Sequence, residues 1–393
     1  MGFELNPQQL NAVKEGVKWF KSGYSKQTFE ISGPAGSGKT TIVKDIEHAL
    51  GIAPEDVLYI AYVGKAAQNL ALKGHNARTI HSALYNVVQV PKTDIYGNFI
   101  MKSGRNVTYR SFIKREMLPK NIKLIVVDEG GMVDINMRQD ILSFGLPVIV
   151  LGDLNQLPPV FGRPGFLVEP DVILTEIMRQ AEDSEIIWMS QQILNDKPIP
   201  FGKYNNSLVL RYDEAKDHHL TEADMIICGT NRTRDNINNY MRREIFKYDD
   251  KYPLALGEKL VCRKNDWTRA IGPNDDIYLI NGMVGYVEEI HLNTYNGKTV
   301  DIDFRPDFMP HDRYRNLKID VDYLMTPSYE EYSSLNHNLA RLQRGNAISV
   351  HLSQGSQYPT VYYHRDFSNR KKYQRALDYT AITRAEKRII LVQ

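Results

Sequence analysis

The chain has 393 residues. At ~150 residues per domain this is enough for two or three packed domains, and it excludes a peptide or a single small module. The chain has 49 Lys and Arg residues and 47 Asp and Glu residues, so its net charge of +2 is the difference between two large, nearly equal populations. Any surface that binds nucleic acid must therefore be a local basic patch rather than a basic protein as a whole.

The composition also indicates the cellular compartment in which the protein is expected. The 42% hydrophobic content is that of a globular protein, and two cysteines, Cys228 and Cys262, are too few for a disulfide scaffold or a cysteine-based zinc cluster. No apolar run approaches the ~20 residues of a membrane span, and the first ten residues do not resemble a signal peptide. We expect a soluble, cytoplasmic protein with no membrane partner.

The first half of the chain alternates short apolar runs with helical stretches. From Thr28 to Val160 the runs TFEIS, VLYIAY, LIVVDE and PVIVLGD are typical strands, and their alternation with helices predicts an α/β fold with a parallel sheet. Each run ends in residues that a phosphate site can use, and ligands of such sheets bind at the carboxyl ends of the strands.

Three later changes in pattern predict the remaining organisation. Asn86 to Phe112 breaks the alternation and reads as an inserted β-hairpin. ADMIICGT followed by a basic helix, between Leu220 and Tyr248, starts a second α/β unit. Alternating strands with Gly and Asn turns from Ala255 to Leu342 predict a small antiparallel barrel inserted into that second unit.

GPAGSGKT, from Gly33 to Thr40, has the complete P-loop pattern between a strand and a helix. Its glycines let backbone N–H groups surround phosphates, Lys39 reaches the terminal phosphates, and Thr40 offers a hydroxyl to Mg²⁺. The alternative is a Gly-rich turn without a ligand. The motif in this setting favours ATP and Mg²⁺ as cofactors.

Asp128 and Glu129 end the apolar run LIVVDE, where two buried charges need a role. In a P-loop protein the Asp can hold Mg²⁺ and the adjacent Glu can polarise the attacking water, which favours hydrolysis over phosphoryl transfer to a substrate. In the following run, LGDLNQLPPV, Asp153 and Gln156 are candidates to contact the γ-phosphate or its water. The alternatives are a surface-exposed strand end and an ordinary turn.

These motifs, in this order, resemble those of a superfamily 1B helicase of the RecD and Dda type, and the resemblance covers almost the whole chain. LNPQQLNAV resembles the Q motif, IAYVGKAAQNL motif Ia, and ARTIHSAL the next DNA-contacting motif. ICGTNRTRDNIN, ISVHLSQGSQYPTV and LDYTAITRAEKR resemble motifs IVa, V and VI. Three departures are Tyr62-Val63 for Pro-Thr, Gly130-Gly131 for Ala-Ser, and Leu352 for a frequent Lys.

The resemblance implies two RecA-like P-loop domains with ATP at their interface. It implies a strand-separating pin in the first and an SH3-like insertion in the second. We therefore assign residues 1–85 and 113–180 to the first domain, 86–112 to the pin, 181–254 and 343–393 to the second domain, and 255–342 to its insertion.

The resemblance also implies roles for single residues. Lys39, Glu129, Gln156, Arg179 and Arg384 are the expected catalytic residues, the two arginines acting on the γ-phosphate, and Thr40 and Asp128 are the expected Mg²⁺ ligands. The expected nucleotide-binding residues are Gln9, Gly33, Pro34, Ala35, Gly36, Ser37, Gly38, Lys39, Thr40, Thr41 and Gly355. The expected DNA contacts are Lys65, Thr79, His81, Asn231, His351, Gln354 and Ser356.

The expected activity is ATP-driven 5′ to 3′ movement on single-stranded DNA with unwinding of duplex DNA at single/double-strand junctions, in replication, repair or recombination. Replication or recombination proteins are the expected protein partners, and the resemblance implies the cytoplasm of a bacterium or a phage-infected cell. Two alternatives stay open: an RNA helicase of the Upf1-like group, and an ATP-gated binding switch without processive motion. For His81 and His351 the alternative is an ordinary hydrogen-bonded core histidine.

Overall fold

In the computed structural model the chain divides into two compact units. The first comprises Met1–Tyr62, Ala66–Leu154 and Pro158–Met178; the second comprises Val63–Lys65, Asn155–Leu157 and Arg179–Gln393. The structure describes residues 5–23, 26–91, 93, 96, 98–102, 105–106, 108–159, 162–176, 184–249, 252–272, 277–325 and 339–393.

The segment from residue 5 to residue 176 alternates helices with strands. The helices are α1 Pro7–Lys21, α2 Lys39–Leu50, α3 Gly64–Leu72, α4 Ile80–Leu84 and α5 Ile135–Leu142. The strands are β1 Thr28–Ser32, β2 Val57–Ala61, β3 Ala77–Thr79, β4 Tyr85–Pro91, β5 Met101–Lys102, β6 Arg105–Asn106, β7 Thr108–Lys114, β8 Leu124–Asp128, β9 Val148–Gly152 and β10 Val172–Ile173.

A parallel sheet forms the centre of the first unit. Within the described residues it has six strands in the order β10-β1-β9-β8-β2-β3, and every neighbouring pair is parallel. The four middle strands are buried along nearly their whole length, which is why their sequences are continuous apolar runs rather than alternating ones. The predicted parallel α/β sheet is confirmed.

An antiparallel pair interrupts this sheet between α4 and β8. Strands β4 and β7 pair from Tyr85 with Lys114 to Pro91 with Thr108, β5 pairs with β6, and Thr93 bridges to Phe99. Large apolar side chains here face water: the exposed fractions are 82% for Tyr96, 59% for Phe99 and 58% for Met101.

The second unit carries the remaining elements. Its helices are α6 Glu185–Leu194, α7 Asp217–Thr221, α8 Asn231–Tyr240, α9 Val321–Met325, α10 Val350–Ser353 and α11 Lys371–Ile382, and a π-helical turn, Met241–Ile245, follows α8. Its strands are β11 Gly202–Tyr204, β12 Ser207–Leu210, β13 Met225–Cys228, β14 Lys259–Cys262, β15 Asp266–Ile271, β16 Ile277–Leu279, β17 Val284–His291, β18 Thr299–Pro306, β19 Tyr314–Asp320, β20 Leu342–Arg344, β21 Ala347–Ser349, β22 Tyr358–His364 and β23 Ala385–Val392.

The second unit contains two larger sheets in its described part. One has the order β11-β12-β23-β22-β13-β21 and is parallel except for β11, with an apolar core on each face. The other is antiparallel, with the order β19-β18-β17-β14-β20, and lies between Lys259 and Arg344. It has its own apolar core, which includes Phe304 and Leu317.

Two further observations concern possible membrane helices and the cysteines. No helix in the described part of the chain is both long and apolar enough to cross a membrane. Cys228 and Cys262 are buried free thiols.

Candidate nucleotide and nucleic-acid site

The P-loop connects β1 to α2 at the carboxyl edge of the first sheet. Gly36 and Gly38 have φ values of 83° and 81°, in the left-handed region that favours glycine, and Gly38 caps α2. The Lys39 ammonium donates to the carbonyl oxygens of Gly33 and Pro34 at 2.6 and 2.9 Å. The loop is therefore curled around the lysine head group, with the start of α2 at its base.

Gln9 supports this loop from α1. Its side chain is 3% exposed, accepts the N–H of Asn6 and donates to the Ser37 carbonyl at 3.0 Å. A Cβ at Gly38 would lie 2.4 Å from the Gln9 amide nitrogen, so the Gln9 side chain packs directly against this glycine, whose φ of 81° itself favours glycine. The predicted Q-motif residue thus contacts the P-loop backbone directly.

Ser37 contains a buried polar atom that a ligand can satisfy. The residue is 1% exposed, and its Oγ has no hydrogen-bond partner among the residues that the structure describes. A buried hydroxyl without a partner is costly, which makes it a natural donor to a bound phosphate oxygen. The Ser37 hydroxyl, Lys39 and the glycine-rich backbone together fit the phosphates of a nucleoside triphosphate.

Asp128 and Glu129 stand at the end of β8, two strands from β1 in the sheet order β1-β9-β8. Burial raises the pKa of the Asp128 carboxyl, while the charge of Lys39 and the N–H of Glu129 act in the opposite direction. Asp128 thus interacts electrostatically with the P-loop lysine. Its carboxylate and the Thr40 hydroxyl are the oxygen ligands that Mg²⁺ prefers, and where bound the ion neutralises phosphate charge.

The backbone at Glu129 is strained. Its φ of 53° and ψ of 42° lie in the left-handed region, which costs a residue with a Cβ about 1–2 kcal/mol. Such strain persists where the surroundings over-determine it, and it is frequent at functional sites.

Gly130 explains the first half of the Gly130-Gly131 departure from the family pattern. A Cβ at Gly130 would lie 2.3 Å from the Val150 Cγ1 on β9. The Gly130 and Gly131 amides also approach Gly152, where a Cβ would be 3.3 Å from both nitrogens. The ends of β8 and β9 are therefore packed so closely that glycine, rather than alanine, fits at position 130.

The other predicted catalytic residues lie in segments that group with the second unit. Gln156 belongs to Asn155–Leu157, a segment held by hydrogen bonds from Leu157 N–H to the Thr380 hydroxyl (3.0 Å) and from the Gln354 amide to the Leu157 carbonyl (3.3 Å). Arg179 lies outside the described residues.

Arg384 is 2% exposed, and its side chain donates three hydrogen bonds to described residues. It donates to the carbonyls of Thr380 and Ser356, each at 3.1 Å, and to the Thr383 hydroxyl at 3.2 Å. To act on a γ-phosphate, its guanidinium must exchange these partners for phosphate oxygens. Arg384 thus stabilises the segment after α11 in this structure, and it is also the arginine predicted to act on the γ-phosphate.

The motif V residues form the connection between α10 and β22. Gln354 and Ser356 are each 2% exposed, and Gly355 has a φ of 72°. The Gln354 Oε1 is buried with no hydrogen-bond partner in the described part of the chain. The sequence assigned Gln354 and Ser356 to DNA contact; their side chains are enclosed here.

His351 and His81, the two predicted DNA-contacting histidines, are partly buried. The His351 ring stacks on Tyr373 with 6.2 Å between centroids, and the His81 ring lies 5.7 Å from Tyr85 and 5.4 Å from Phe112. Burial lowers the pKa of both imidazoles, so both are neutral at pH 7 and can contact DNA as hydrogen-bonding or stacking groups but not as cations.

Thr79, Lys65 and Asn231 complete the predicted DNA contacts. Thr79 is 4% exposed and its hydroxyl caps α4, accepting the Ser82 N–H. The Lys65 ammonium lies 5.1 Å from the centroid of the Tyr358 ring. Asn231 is exposed at the first position of α8.

Sequence reasoning missed Asp366. Its carboxylate accepts two backbone N–H groups and a hydroxyl from the turn that carries Asn231. The partners are more than a hundred positions earlier in the chain, so no local pattern indicated them. The one available signal was an acidic residue two positions after a buried strand.

Comparisons with known proteins agree with this geometry. The sequence model of the AAA domain family matches residues 4–212, more than half of the chain, and that of the UvrD-like helicase C-terminal domain matches residues 345–392. The chain belongs to the superfamily 1B helicases. The predicted family is confirmed.

The relatives of this superfamily 1B chain are distant. It is 25% identical over 386 residues to the ATP-dependent RecD2 DNA helicase of Deinococcus radiodurans, covering 91% of this chain and 46% of the relative. It is 26% identical over 345 residues to the ATP-dependent DNA helicase dda of Enterobacteria phage T4, covering 76% of this chain and 67% of that protein. The chain thus spans less than half the length of RecD2.

A solved structure supports the fold. Pif1 helicase from Bacteroides, in complex with ADP-AlF3 and single-stranded DNA, aligns over 100% of this chain and 93% of its own with a TM-score of 0.53 and 18% identity.

Proposed function

We propose that the chain is an ATP-dependent DNA helicase that translocates on single-stranded DNA, 5′ to 3′ by its likeness to superfamily 1B, and unwinds duplex DNA. The observation that carries the proposal is the P-loop, with Lys39 held at its centre by two carbonyl oxygens and the partly buried Asp128 at the end of β8 interacting with its charge. Family membership supports DNA as the polymer, because RecD2 and dda are named as DNA helicases.

The proposed chemistry assigns one task to each group. The P-loop backbone, the Ser37 hydroxyl and Lys39 bind the phosphates, Thr40 and Asp128 hold Mg²⁺, and Glu129 takes a proton from the attacking water with Gln156 orienting it. Arg384 and Arg179 neutralise charge that develops on the γ-phosphate, so hydrolysis is fast only when both guanidinium groups are in contact with that phosphate. Gln9, Thr41 and Gly355 complete the nucleotide contacts.

Domain roles follow the same proposal. Residues 1–85 with 113–180, and 181–254 with 343–393, are the RecA-like domains. The exposed apolar β4–β7 insertion, assigned to 86–112, is the strand-separating pin, a role supported by Phe99 and Met101 facing water. The antiparallel sheet is the SH3-like insertion assigned to 255–342, although its last strand, β20, extends to Arg344.

The proposed DNA track consists of Lys65, His81, Asn231 and His351, together with Thr79, Gln354 and Ser356, whose side chains are buried in this structure and must become accessible before they can contact DNA. Most of these are neutral donors, which suits a translocase that must hold the sugar-phosphate backbone without reading bases. Single-stranded DNA and single/double-strand junctions are the proposed partners, together with replication or recombination proteins. The proposed location is the cytoplasm of a bacterium or a phage-infected cell.

The deciding experiment measures ATP hydrolysis without polymer, with single-stranded DNA and with RNA, then unwinding of duplexes carrying 5′ or 3′ tails. We expect stimulation by DNA and unwinding from the 5′ tail. Lys39→Ala, which removes a phosphate contact rather than a core side chain, should abolish hydrolysis while leaving binding of single-stranded DNA.

Each alternative has its own outcome. Stimulation by RNA alone would indicate an RNA helicase, and DNA stimulation without unwinding of either tailed duplex would indicate an ATP-gated switch. Wild-type hydrolysis by Lys39→Ala would refute the P-loop assignment.

A further inference from the structure

Asp366 holds the turn between β13 and α8 in one shape. One carboxylate oxygen accepts the N–H groups of Gly229 and Thr230 at 2.7 and 2.9 Å, and the other accepts the Thr233 hydroxyl at 2.5 Å. A Cβ at Gly229 would lie 3.0 Å from the Asp366 Cβ, so the two segments are in close contact. Hydrogen bonds to an ionised acceptor are about twice as strong as neutral ones, which makes this a firm attachment.

The turn that Asp366 holds presents Asn231 in a defined orientation. The buried Arg234, 4% exposed, donates to the Asn231 Oδ1 at 2.9 Å, and its own charge is paired with Asp235 at 2.7 Å. Arginine can only donate, so the amide oxygen of Asn231 must face it. The amide N–H donors of this exposed side chain therefore face away from Arg234, as a phosphodiester oxygen, which only accepts, would require.

Asp366 is itself fixed to helix α11. Gln374 donates to the Asp366 carbonyl at 3.1 Å and to the Asp378 carboxylate at 2.8 Å, and it accepts the Ser368 N–H at 2.7 Å. Arg365 closes the same network through Asp378 at 2.9 Å. The turn that carries Asn231 is thus connected by hydrogen bonds to the helix that ends next to Arg384.

We propose that Asp366 is a positioning residue for DNA binding: it fixes the Gly229–Thr233 turn so that Asn231 presents its amide donors to a backbone phosphate. This inference rests on the proposed function. Asp366 does not contact the DNA itself, and Arg234 has a supporting role in orienting the amide.

Asp366→Asn distinguishes a positioning role from a purely electrostatic one, because the two predict opposite changes in DNA affinity. If the carboxylate acted only through its charge, its removal would reduce repulsion of phosphates and tighten DNA binding. If it positions the turn, the neutral amide can accept no more than part of the three hydrogen bonds, and binding weakens. We expect the dissociation constant for a fluorescent oligothymidine to rise by about tenfold, as expected for one weakened charge-assisted contact.

The matched control lies at the other end of the same strand pair. Asp224, just before β13, accepts the N–H of Thr360 on β22 at 2.8 Å, so Asp224→Asn makes the same chemical change away from the turn. We expect oligothymidine binding within about twofold of wild type for this variant, as usual for a surface substitution.

Kinetics and a second pair of variants keep the test independent of folding. For Asp366→Asn the DNA concentration giving half-maximal ATPase stimulation should rise with the dissociation constant, while kcat at saturating DNA stays within about twofold. Thr233→Val should weaken binding and Thr233→Ser, which keeps the hydroxyl, should restore it, with melting temperatures measured for all four variants.

Equal or tighter DNA binding by Asp366→Asn, or equal binding by the two Thr233 variants, would overturn the positioning role. A wild-type ATPase that does not respond to DNA would instead refute the proposed function, so the two failures are distinguishable.

Discussion

At the scale of single residues, Glu129 is the sharpest test of the chemistry. Glu129→Gln keeps the size of the side chain but removes the base, so we expect kcat to fall by at least ~100-fold while ATP still binds. The measurement is single-turnover hydrolysis alongside binding of a fluorescent ATP analogue. Glu55→Gln, at an exposed carboxylate before β2, is the control. Unchanged kcat in Glu129→Gln would mean that another group is the base.

Arg384 is expected to show two effects at once. Arg384→Ala should lower DNA-stimulated kcat far more than ATP affinity, since the guanidinium acts on charge that grows in the transition state. It should also lower the melting temperature, because the side chain is buried and donates to two carbonyls and a hydroxyl.

The control for Arg384 is Arg388→Ala, which removes a more exposed guanidinium bonded to Glu222. It should change kcat little. Weaker ATP binding by Arg384→Ala with normal kcat would instead describe a ground-state contact.

Three partly buried histidines predict a loss of stability in mild acid. Burial lowers the pKa of His81, His351 and His364, so the folded chain binds fewer protons than the unfolded chain just below pH 6.5. The free energy of unfolding should therefore fall as pH drops from about 6.5 towards the lowered pKa values, by at most ~1.4 kcal/mol per pH unit for each histidine.

Chemical denaturation of His364→Asn between pH 7 and pH 5 measures this effect. The variant should lose less stability over that range than wild type, and His48→Asn, which replaces an exposed imidazole, is the control. A pH profile identical to wild type in His364→Asn would refute the assignment.

At the scale of elements, the β4–β7 insertion can be tested with a cut that the structure defines. Phe112 and Tyr85, at the base of the pair, pack around His81, so a deletion must spare them. Replacing residues 92–107 by a Gly-containing turn keeps the β4–β7 ladder and removes its exposed apolar end. We expect DNA-stimulated ATPase and translocation on single strands to persist while unwinding of a 5′-tailed duplex fails.

A Tyr96→Ser and Phe99→Ser double variant tests the same insertion without changing its length. Melting temperatures establish folding in both cases. Normal unwinding by the shortened protein would show that strand separation happens elsewhere.

The inserted antiparallel sheet is attached to the second unit by a buried ion cluster. Glu258, 2% exposed, forms a salt bridge with Arg242 and lies 3.4 Å from the Arg344 Nε, while Arg242 also donates to the Tyr252 carbonyl at 2.6 Å. Glu258→Gln leaves buried guanidinium charge without its counter-charge. We expect a loss of about 3 kcal/mol in unfolding free energy by urea denaturation.

Glu288→Gln is the control for Glu258→Gln. Glu288 pairs with Arg305 and Arg313 closer to the surface, where an ion pair contributes less than about 1 kcal/mol. Equal losses of unfolding free energy in the two variants would mean that burial does not make the Glu258 cluster contribute more to stability than the surface pair.

Sequence patterns predicted the strands that are buried along nearly their whole length, and they did not predict the short, partly exposed strands. The runs TFEIS and LIVVDE became β1 and β8 because a strand buried on both faces needs an unbroken apolar run. The edge strands β3 and β10 have three and two residues and are partly exposed, so they carry no such signal. The P-loop was visible because its chemistry depends on adjacent residues, whereas Asp366 acts on partners far away in sequence.

At the scale of the whole molecule, balanced charge predicts weak salt dependence of DNA binding. Lys65 is the single cation in the proposed track, and the partly buried His81 and His351 are neutral at pH 7. Each cationic contact to single-stranded DNA contributes a slope of about −0.7 in a plot of log K against log salt. We therefore expect a slope of about −0.7, measured with oligothymidine between low and moderate salt, and a flatter line for Lys65→Met. A slope steeper than about −3 would indicate a cationic surface outside the proposed track.

The position of β23 has a consequence for how the protein is made. This strand lies between β12 and β22 inside the second sheet, and Leu208 on β12 pairs with Ile390, 182 positions later. During synthesis the edges of β12 and β22 therefore stay open until residues 385–392 have left the ribosome, and contacts this distant in sequence form slowly. Ribosomes stalled before residue 385 should carry a nascent chain whose first unit resists protease while its second sheet is still digested.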